Sequence, residues 1–309
     1  MAFPFLCVLQ KFYASILNFG SLNIDYTYSL EHIVQPGETI TFRSLEVFPG
    51  GKGLNQSIAL ARAGANVYHA GLIGSDGEFL RDICRESGVK TEYIRETEKR
   101  TGNAIIQVSE EGQNCIILYP GANREQTEAY IDEVLKGFSA GDILLLQNEI
   151  NLLHYLISEG VKKGMKIALN PSPFDEKITT CDLSKVSLFL INEVEGEQIT
   201  GEKDPEQILQ KMEMLYPGAE TVLTLGDKGA VYGNGTERIR QEPVRVKAVD
   251  TTAAGDTFTG YYLASVMEGK TKAQAMKEAA CAAALAVSKK GASSSVPWRR
   301  DVERILIQG

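Results

Sequence analysis

The chain has 309 residues, of which 43% are hydrophobic and 23% are charged. This balance is that of a soluble globular protein, and it excludes a disordered, collagen-like or coiled-coil chain. Lys and Arg number 32 against 40 Asp and Glu, giving a net charge of −8. No nucleic-acid partner is expected, because general nucleic-acid binders gain affinity by neutralising phosphates. A small anionic ligand is compatible with this charge, since it needs only a local patch or a helix N-terminus.

The five cysteines and three histidines are widely scattered, with no CxxC pair and no zinc-binding spacing. We therefore expect reduced thiols and a cytoplasmic location. No apolar run reaches the ~18 residues that a membrane span needs, so no membrane partner is expected. Residues 1–13 form an N-terminal extension of unknown role, and the domain proper is predicted to span 14–309.

Short apolar runs alternate with helical stretches along most of the chain. Continuous apolar runs are typical of strands covered on both faces, and they occur at 14–20, 67–73, 143–147, 166–169, 187–191 and 221–225. Helical stretches lie at 54–63, 77–86, 125–136, 152–163 and 205–215. This alternation predicts one α/β domain with a mostly parallel sheet and helices on both sides.

Two regions rich in β-branched and aromatic residues, at about 23–47 and 102–119, interrupt this alternation. The second predicts a hairpin of strands 103–108 and 114–119 joined by the turn SEEGQ. Such strands do not easily join a parallel core, so they are expected to form a small separate sheet. Its function would be a lid over a binding cleft, and the alternative is a β-flap without function.

The segment GGKGLN at 50–55 precedes a predicted helix. Three glycines in four positions allow a close backbone approach, and the following helix offers unpaired N–H groups. The spacing is neither that of a P-loop nor that of the dinucleotide fingerprint GxGxxG. An ordinary tight turn is the alternative interpretation.

The segment DTTAAGD at 250–256 is more informative. It follows a predicted strand at 244–249 and leads into an apolar helix at 257–267. Small residues at a strand-to-helix turn expose backbone N–H groups as an anion pocket, which the helix dipole strengthens. Asp256 at that helix start is either a simple cap or a base beside the negative charge of a transferred phosphoryl group.

Three further segments carry polar groups. Asn192 and Glu195 form either a capping box or a pair that holds water around Mg²⁺. The segment TLGDKG at 224–229 is either a nucleotide-binding turn or an ordinary β-turn. Thr271 and Gln274 predict a capping box at the start of an alanine-rich helix, which the loop KKGASSS at 289–295 follows.

Together these motifs resemble the PfkB family of sugar and nucleoside kinases. GSLNID, GGKGLN, the NxxE step, TLGDKG, DTTAAGD and KKGASSSVPW occur in the family's order, from about residue 16 to the C-terminus. SVPW, together with PGAN at 120–123 and NPSP at 170–173, indicates the ribokinase branch. The resemblance implies a ribokinase-like three-layer α/β/α sandwich with a small β-sheet lid that is often used for dimerisation. It also implies transfer of the ATP γ-phosphate to a sugar hydroxyl with Mg²⁺, and activation by K⁺.

The resemblance also implies roles for individual residues. Asp256 corresponds to the catalytic base, and the backbone of Ala253, Ala254 and Gly255 to the anion hole. The sugar-binding positions are Asn23, Asp25, Gly51, Lys52, Asn55 and Glu149. The nucleotide and Mg²⁺ positions are Asn192, Glu195, Thr224, Gly226 and Gly229. The K⁺-binding oxygens correspond to Asp250, Thr252, Ala286, Lys289, Gly291 and Ser295.

The resulting hypothesis is an ATP-dependent kinase that converts D-ribose to ribose 5-phosphate, as a homodimer joined through the lid. A fructokinase, a deoxyribose kinase or another sugar or nucleoside kinase is the alternative within the family. The lid residues Ile105, Ile117 and Tyr119 vary among such kinases, so they leave the identity of the sugar open. A third hypothesis is a non-catalytic sugar-binding protein, because fold alone does not fix function.

Overall fold

The computed structural model describes residues 14–308, so the extension predicted at 1–13 lies outside the described residues. The strands of this part of the chain are β1 (Ile16–Phe19), β2 (Asn23–Leu30), β3 (Ser44–Gly50), β4 (Val67–Ile73), β5 (Lys90–Glu96), β6 (Gly102–Ser109), β7 (Asn114–Tyr119), β8 (Ile143–Gln147), β9 (Lys166–Asn170), β10 (Leu188–Asn192), β11 (Glu220–Thr224), β12 (Ala230–Gly233) and β13 (Arg238–Gln241). The α-helices are α1 (Lys52–Arg62), α2 (Glu78–Glu86), α3 (Glu128–Leu135), α4 (Leu153–Lys162), α5 (Glu193–Thr200), α6 (Pro205–Leu215), α7 (Ala254–Met267), α8 (Lys272–Val287) and α9 (Arg299–Gln308).

The main sheet has the order β13-β12-β11-β10-β9-β8-β1-β4-β5. The strands from β5 to β11 in that order pair in parallel, and only β12 and β13 at one edge are antiparallel. The mostly parallel sheet predicted from the apolar runs is therefore confirmed. All five residues of β8 are buried, as a strand with helices on both faces requires.

Alternating side chains of the central strands feed two hydrophobic cores, one on each face of the sheet. In β8, Ile143 and Leu145 join the core beneath α1, α7 and α8, while Leu144 and Leu146 join the core beneath α3, α4 and α6. This alternation follows from the two-residue period of a strand. The result is a three-layer α/β/α sandwich.

The predicted separate sheet is also confirmed. It has the order β3-β2-β6-β7, in which β2 and β6 pair in parallel although about seventy residues separate them. The hairpin of β6 and β7 lies where the sequence predicts it, with the turn at 109–113. β7 is an edge strand, and all six of its residues are exposed.

Local signals place several helix ends correctly. Asp204 caps α6 by accepting hydrogen bonds from the backbone N–H groups of Glu206 and Gln207, with Pro205 as the first helical residue. The capping box predicted for Thr271 and Gln274 is present at the start of α8. α3 begins at Glu128, later than predicted, because the side chain of Thr127 caps it by accepting from the N–H of Tyr130.

The strand predicted at 244–249 is wrong. Residues 242–250 form no strand, and Val246 and Val249 are exposed. β13 is the last strand of the main sheet on this side, so the alternating valines have no partner strand. The segment is instead attached to the end of α8, because the N–H groups of Val249 and Asp250 donate to the Val287 carbonyl at 2.7 and 3.1 Å.

Candidate active site

Polar side chains meet where neighbouring parallel strands end. Gln147 is the last residue of β8, Asn170 of β9 and Asn192 of β10. Helices α1 and α7 pack against each other beside this edge. In open α/β sheets the carboxyl edge of the strands is where ligands bind. We therefore take this edge as the candidate active site.

Asp256 lies in the first turn of α7, with 5% of its surface exposed. Its Oδ2 accepts a hydrogen bond from Nδ2 of Asn55 at 3.1 Å, and its Oδ1 accepts one from Nε2 of Gln56 at 2.9 Å. The structure thus joins the two segments 50–55 and 250–256, which lie far apart in the sequence. A carboxylate with only hydrogen-bond donors on both oxygens is suited to accept a proton.

The turn before Asp256 has an uncommon backbone. Ala253 caps α7 with a φ of 59°, and Leu152 is the one other non-glycine residue among 14–308 with a positive φ. The N–H groups of Gly255 and Asp256 have no acceptor within the helix, because they belong to its first turn. The start of α7 therefore offers the amides of Gly255 and Asp256 and a dipole end to an anion, whereas the N–H of Ala254 donates to the Thr251 carbonyl at 3.3 Å. The anion hole predicted for residues 253–255 stays a prediction.

The glycines of the loop at 50–53 have packing reasons of their own. Gly51 has a φ of 93°, which favours glycine. A Cβ atom on Gly53 would lie 2.4 Å from the backbone N of Ser21. These glycines thus let the loop pack closely against the protein's own backbone after β1. This packing places Lys52 and the start of α1 at the end of β1.

Lys52 lies among carboxylates. Its backbone N–H donates to Oε2 of Glu149 at 2.9 Å, and the hydroxyl of Ser21 donates to the same oxygen. Burial alone would lower the pKa of Lys52, but the carboxylates of Asp256, Glu149 and Glu195 outweigh burial and raise it above its ordinary value. Lys52 is therefore a cation at neutral pH, held between three acidic groups.

Asn23 and Asp25, the predicted sugar-binding residues of β2, lie where the small sheet β3-β2-β6-β7, which we call the lid sheet, joins the main domain. Burial raises the pKa of Asp25 to about 7, and the nearby carboxylate of Glu149 adds to the rise. Burial also raises the pKa of Glu149. Asn23 is held by Asn123, whose Nδ2 donates to Oδ1 of Asn23 at 2.7 Å. The structure thus brings Asn23, Asp25 and Glu149 to the same edge as Lys52.

Asn192 and Glu195 form a complete capping box at the start of α5, which confirms the structural interpretation of this pair. Glu195 nevertheless lines a cavity of about 50 Å³ together with Lys52, Thr224 and Asp256. Asn192, Glu195 and Thr224 therefore share one small space with the predicted base, whereas Gly226 and Gly229 do not line it. That volume holds only an ion or very few water molecules.

The turn after β11 also has a structural explanation. Gly226 and Gly229 have φ values of 57° and 91°, and a Cβ atom on Gly229 would lie 2.1 Å from the carbonyl oxygen of Gln241. The hydroxyl of Thr224 donates to the Ile191 carbonyl at 3.3 Å. These contacts shape the turn, and the ATP contacts of Thr224, Gly226 and Gly229 stay a prediction.

The residues predicted to bind K⁺ form two hydrogen-bonded sets, one around Asp250 and one of Ala286 with Lys289, and Ser295 bonds to neither. Oδ2 of Asp250 accepts from the N–H of Gly291 at 2.9 Å, and its Oδ1 accepts from the N–H of Thr252 at 2.9 Å. The N–H of Lys289 donates to the Ala286 carbonyl at 3.1 Å. The hydroxyl of Ser295, by contrast, donates to Ala292 at 2.8 Å and contacts none of the others through that bond.

Sequence reasoning missed four residues of this site. Ser21 and Asn123 bond to predicted sugar-binding residues, Gln56 donates to the base, and Asn170 accepts from Gln56. All four lie within or next to motifs quoted above, which is the one signal that the sequence offers. Their contacts depend on the pairing of distant strands, so spacing alone does not reveal them.

Among residues 14–308, no group of three or more His, Cys, Asp and Glu side chains is arranged to hold a metal ion. No helix in the same part of the chain is long and apolar enough to cross a membrane.

The three-layer sandwich, the lid sheet and the carboxylate at the start of α7 define a small-molecule kinase. The chain belongs to the pfkB family of carbohydrate kinases, whose family model matches residues 14–299. It is therefore a sugar kinase, as the motifs predicted.

Individual relatives agree with this assignment. The chain is 37% identical to a ribokinase of Haemophilus influenzae over 297 residues, which cover 93% of this chain and 96% of that protein. The crystal structure of a Thermotoga maritima ribokinase has a TM-score of 0.84 and 33% identity, covering 96% of this chain and 100% of the other. The structure of Arabidopsis thaliana ribokinase complexed with ribose and ATP has a TM-score of 0.84 and 29% identity, covering 95% and 98%. The ribokinase-like fold predicted from the motifs is thereby confirmed.

Proposed function

We propose that this chain transfers the γ-phosphoryl group of ATP to the 5-hydroxyl of D-ribose. The observation that carries the proposal is the shared first turn of α7, where the carboxylate of Asp256 lies beside the amides of Gly255 and Asp256, which have no acceptor within the helix. The hydroxyl oxygen forms the new bond to the γ-phosphorus while the bond from phosphorus to the bridging oxygen breaks. The hydroxyl proton passes to Asp256, and ADP leaves. The amides of 253–256 face the negative charge that develops on the phosphoryl oxygens.

The sugar would lie between the lid and the end of β1. Asn23 and Asn55 offer both donors and acceptors, and the carboxylates of Asp25 and Glu149 accept from hydroxyls. The buried Oδ1 of Asn55 has no partner within residues 14–308, so this carboxamide is free to accept from a sugar hydroxyl. Gly51 and Lys52 would contribute to sugar binding because the glycine loop positions them at this site. A lid over this cleft excludes water, which would compete as the phosphoryl acceptor.

The nucleotide would occupy the adjoining ends of β10 and β11, near Thr224, Gly226 and Gly229. The oxygens of Asn192 and Glu195 fit a role in holding the water shell of Mg²⁺, which prefers oxygen ligands and keeps several waters. Glu195 is buried, lines the same cavity as Asp256, and accepts hydrogen bonds at both carboxylate oxygens from Asn192. A Mg²⁺ ion bound with ATP would neutralise charge on the phosphates.

K⁺ would bind behind the anion hole. Asp250 ties the segment before α7 to the loop after α8 through Gly291. A cation bound at Asp250, Thr252, Ala286, Lys289, Gly291 and Ser295 would act on the shape of this turn without touching the sugar.

A homodimer through the lid is supported by the exposed apolar side chains of the small sheet. Val47, Tyr26, Ile105 and Ile117 are aligned across β3, β2, β6 and β7, so they share one face. Val47, Ile105 and Ile117 are exposed on it. The preceding residue of β2, Asp25, points to the opposite face of the small sheet, because successive side chains of a strand alternate. The apolar face is thus directed away from the proposed sugar site and is free to meet a second copy.

A cytoplasmic location is supported by the thiols. Cys84, Cys115, Cys181 and Cys281 are free, as expected where thiols stay reduced.

The experiment that tests the proposed function is a substrate panel with Mg-ATP, measured with and without K⁺. D-ribose, 2-deoxy-D-ribose, D-fructose and adenosine are compared by kcat/KM. D-ribose should rank first and K⁺ should stimulate its turnover. A higher rank for another substrate would move the chain to a different branch of the family. Calorimetric sugar binding without ADP formation for any substrate would favour a non-catalytic sugar-binding protein.

A further inference from the structure

A chain of buried carboxamides leads from the middle of the main sheet to the proposed base. Its members are Asn18 of β1, Gln147 of β8, Gln56 of α1 and Asn170 of β9. The strands β1, β8 and β9 are neighbours in the sheet. All four side chains are buried, and three of them are fully excluded from solvent.

The hydrogen bonds of this chain run in a definite direction. Nδ2 of Asn18 donates to the backbone carbonyl of Gly53 at 2.7 Å, so its Oδ1 is left to accept from Nε2 of Gln147 at 2.9 Å. Nε2 of Gln147 also donates to Oε1 of Gln56 at 2.6 Å. The amide nitrogen of Gln56 therefore has to face the other way, toward Asp256.

The other end of the chain imposes the same orientation. Nδ2 of Asn170 donates to the backbone carbonyl of Leu190 at 2.8 Å, which leaves its Oδ1 to accept from Nε2 of Gln56 at 3.1 Å. A backbone carbonyl can only accept, so the two ends on Gly53 and Leu190 fix every carboxamide between them. If Gln56 were turned over, its oxygen would face the oxygens of Asn170 and Asp256.

We propose that the chain Asn18–Gln147–Gln56–Asn170 positions Asp256 and holds its carboxylate in the proton-accepting form. Gln56 presents an obligatory donor to Oδ1 at 2.9 Å, and a donor stabilises the ionised carboxylate against the protonated acid. Gln56 is a positioning residue, since its amide acts on the base and has no free group for the sugar. Asn55 differs, because its partnerless Oδ1 lets it turn toward a ligand.

Gln147 acts one step further away. It does not touch Asp256, and its role is to keep the oxygen of Gln56 turned away from the base. The fit around it is close, because a Cβ atom on Gly20 would lie 2.3 Å from its Oε1. Its effect on the base should therefore be transmitted entirely through Gln56.

This inference rests on the proposed role of Asp256, and the test separates the two. The variants are Gln56→Glu, Gln56→Met, Gln147→Met and the double variant Gln56→Met with Gln147→Met. Gln126→Met is the matched control, because Gln126 is equally buried but lies outside the chain. Each is measured by the pH profile of kcat with D-ribose and Mg-ATP, by thermal unfolding, and by the titration of the Asp256 carboxyl carbon in NMR spectra.

In Gln56→Glu a second carboxyl faces Asp256, so the acidic limb of the pH profile and the NMR titration should both move upward by about 1–2 pH units. In Gln56→Met a donor to a charged group is lost, and kcat at pH 7 should fall by about 10-fold to 100-fold. Gln147→Met should lower kcat less. The double variant should be no slower than Gln56→Met, because both changes act through one amide.

Several outcomes would overturn the inference: an unmoved titration of Asp256 in Gln56→Glu, an equal shift in Gln126→Met, or additive losses in the double variant. A wild-type protein that phosphorylates no sugar of the panel would instead refute the proposed function. The NMR titration does not need turnover, so in that case it still decides whether Gln56 acts on Asp256. If Gln56→Glu does not fold, Gln56→Met gives the same decision, because loss of the donor to Oδ1 should also move the titration of the Asp256 carboxyl carbon upward.

Discussion

Gly50 leaves the space that the carboxylate of Asp25 occupies. A Cβ atom on Gly50 would lie 2.0 Å from Oδ2 of Asp25, a distance that no pair of such atoms can hold. The absence of a side chain on Gly50 thus leaves room for Asp25, a predicted sugar-binding residue on the neighbouring strand β2. Lid and glycine loop are in this way one structural unit, since a change in the loop displaces a lid side chain.

Gly50→Ala should therefore weaken sugar binding without touching the nucleotide site. The carboxylate of Asp25 has to move by more than an ångström, and we expect KM for D-ribose to rise at least tenfold while KM for ATP changes little. Gly218→Ala is the matched control, because a Cβ atom there meets no atom within 4 Å. Equal sugar KM values for Gly50→Ala and Gly218→Ala would show that Asp25 does not bind the sugar.

Asp25 should make the stability of the protein depend on pH. Its pKa rises from 3.8 to about 7 on folding, because of burial first and of Glu149 second. The folded protein thus holds a proton that the unfolded chain releases. This stabilisation is complete below pH 3.8 and is lost as the pH rises through 7.

Asp25→Asn keeps the side chain neutral at every pH, so it should remove that loss. Because the loss runs from pH 3.8 to about 7, the variant should gain stability relative to the wild-type protein by about 2–3 kcal/mol between pH 5 and pH 8. Urea unfolding at both pH values measures this, with the exposed Asp227→Asn as control. A stability difference of the same size at both pH values would show that charge burial is not its cause.

Asp256→Asn tests the base directly. We expect kcat to fall by about 10²-fold to 10⁴-fold, since the variant cannot take up the hydroxyl proton. The fold should survive, because the remaining side-chain oxygen still accepts from Gln56. Asn55 can turn its unpaired Oδ1 toward the new amide group. Turnover is measured by ADP formation and ribose binding by calorimetry, and near-normal turnover with intact binding would remove Asp256 from the mechanism.

The sequence predicted most of the main sheet because its strands are buried on both faces. Val67–Ile73 and Ile143–Gln147 are uninterrupted apolar runs, and both strands begin and end where the runs do. α6 was equally predictable, since Pro205 marks its first turn. The sequence predicted wrongly where strand formation depends on a neighbouring strand to pair with. The alternating residues at 244–249 have a strand pattern, but the sheet ends before them.

The candidate site was predictable by residue type and not by contact. Motifs at 50–55 and 250–256 indicated Asn55 and Asp256, and the structure joins them. Gln56 lies next to the first motif, but the sequence does not identify it. The orientation of its side-chain carboxamide depends on the carboxamides of residues in β1, β8 and β9. The parallel pairing of β2 with β6 was equally hidden, since no local signal joins segments so far apart in the chain.

The apolar face of the lid sheet carries exposed isoleucines. Ile105 and Ile117 are directly opposite each other on β6 and β7, and 39% and 56% of their surfaces are exposed. If a second copy covers this face, a buried aspartate without a partner would cost several kcal/mol there. Ile117→Asp should therefore convert the dimer to a monomer in sedimentation experiments.

Ile307→Asp is the control, because Ile307 is also an exposed isoleucine but lies on α9, far along the chain from the lid. It should leave the sedimenting mass at twice that of one chain. Ribose turnover by the Ile117→Asp monomer should persist with a raised KM, since Asp25 lies on the opposite face of the same sheet and depends on its rigidity. A wild-type protein that sediments as a monomer at micromolar concentration would refute the dimer, and the exposed face would then need another explanation.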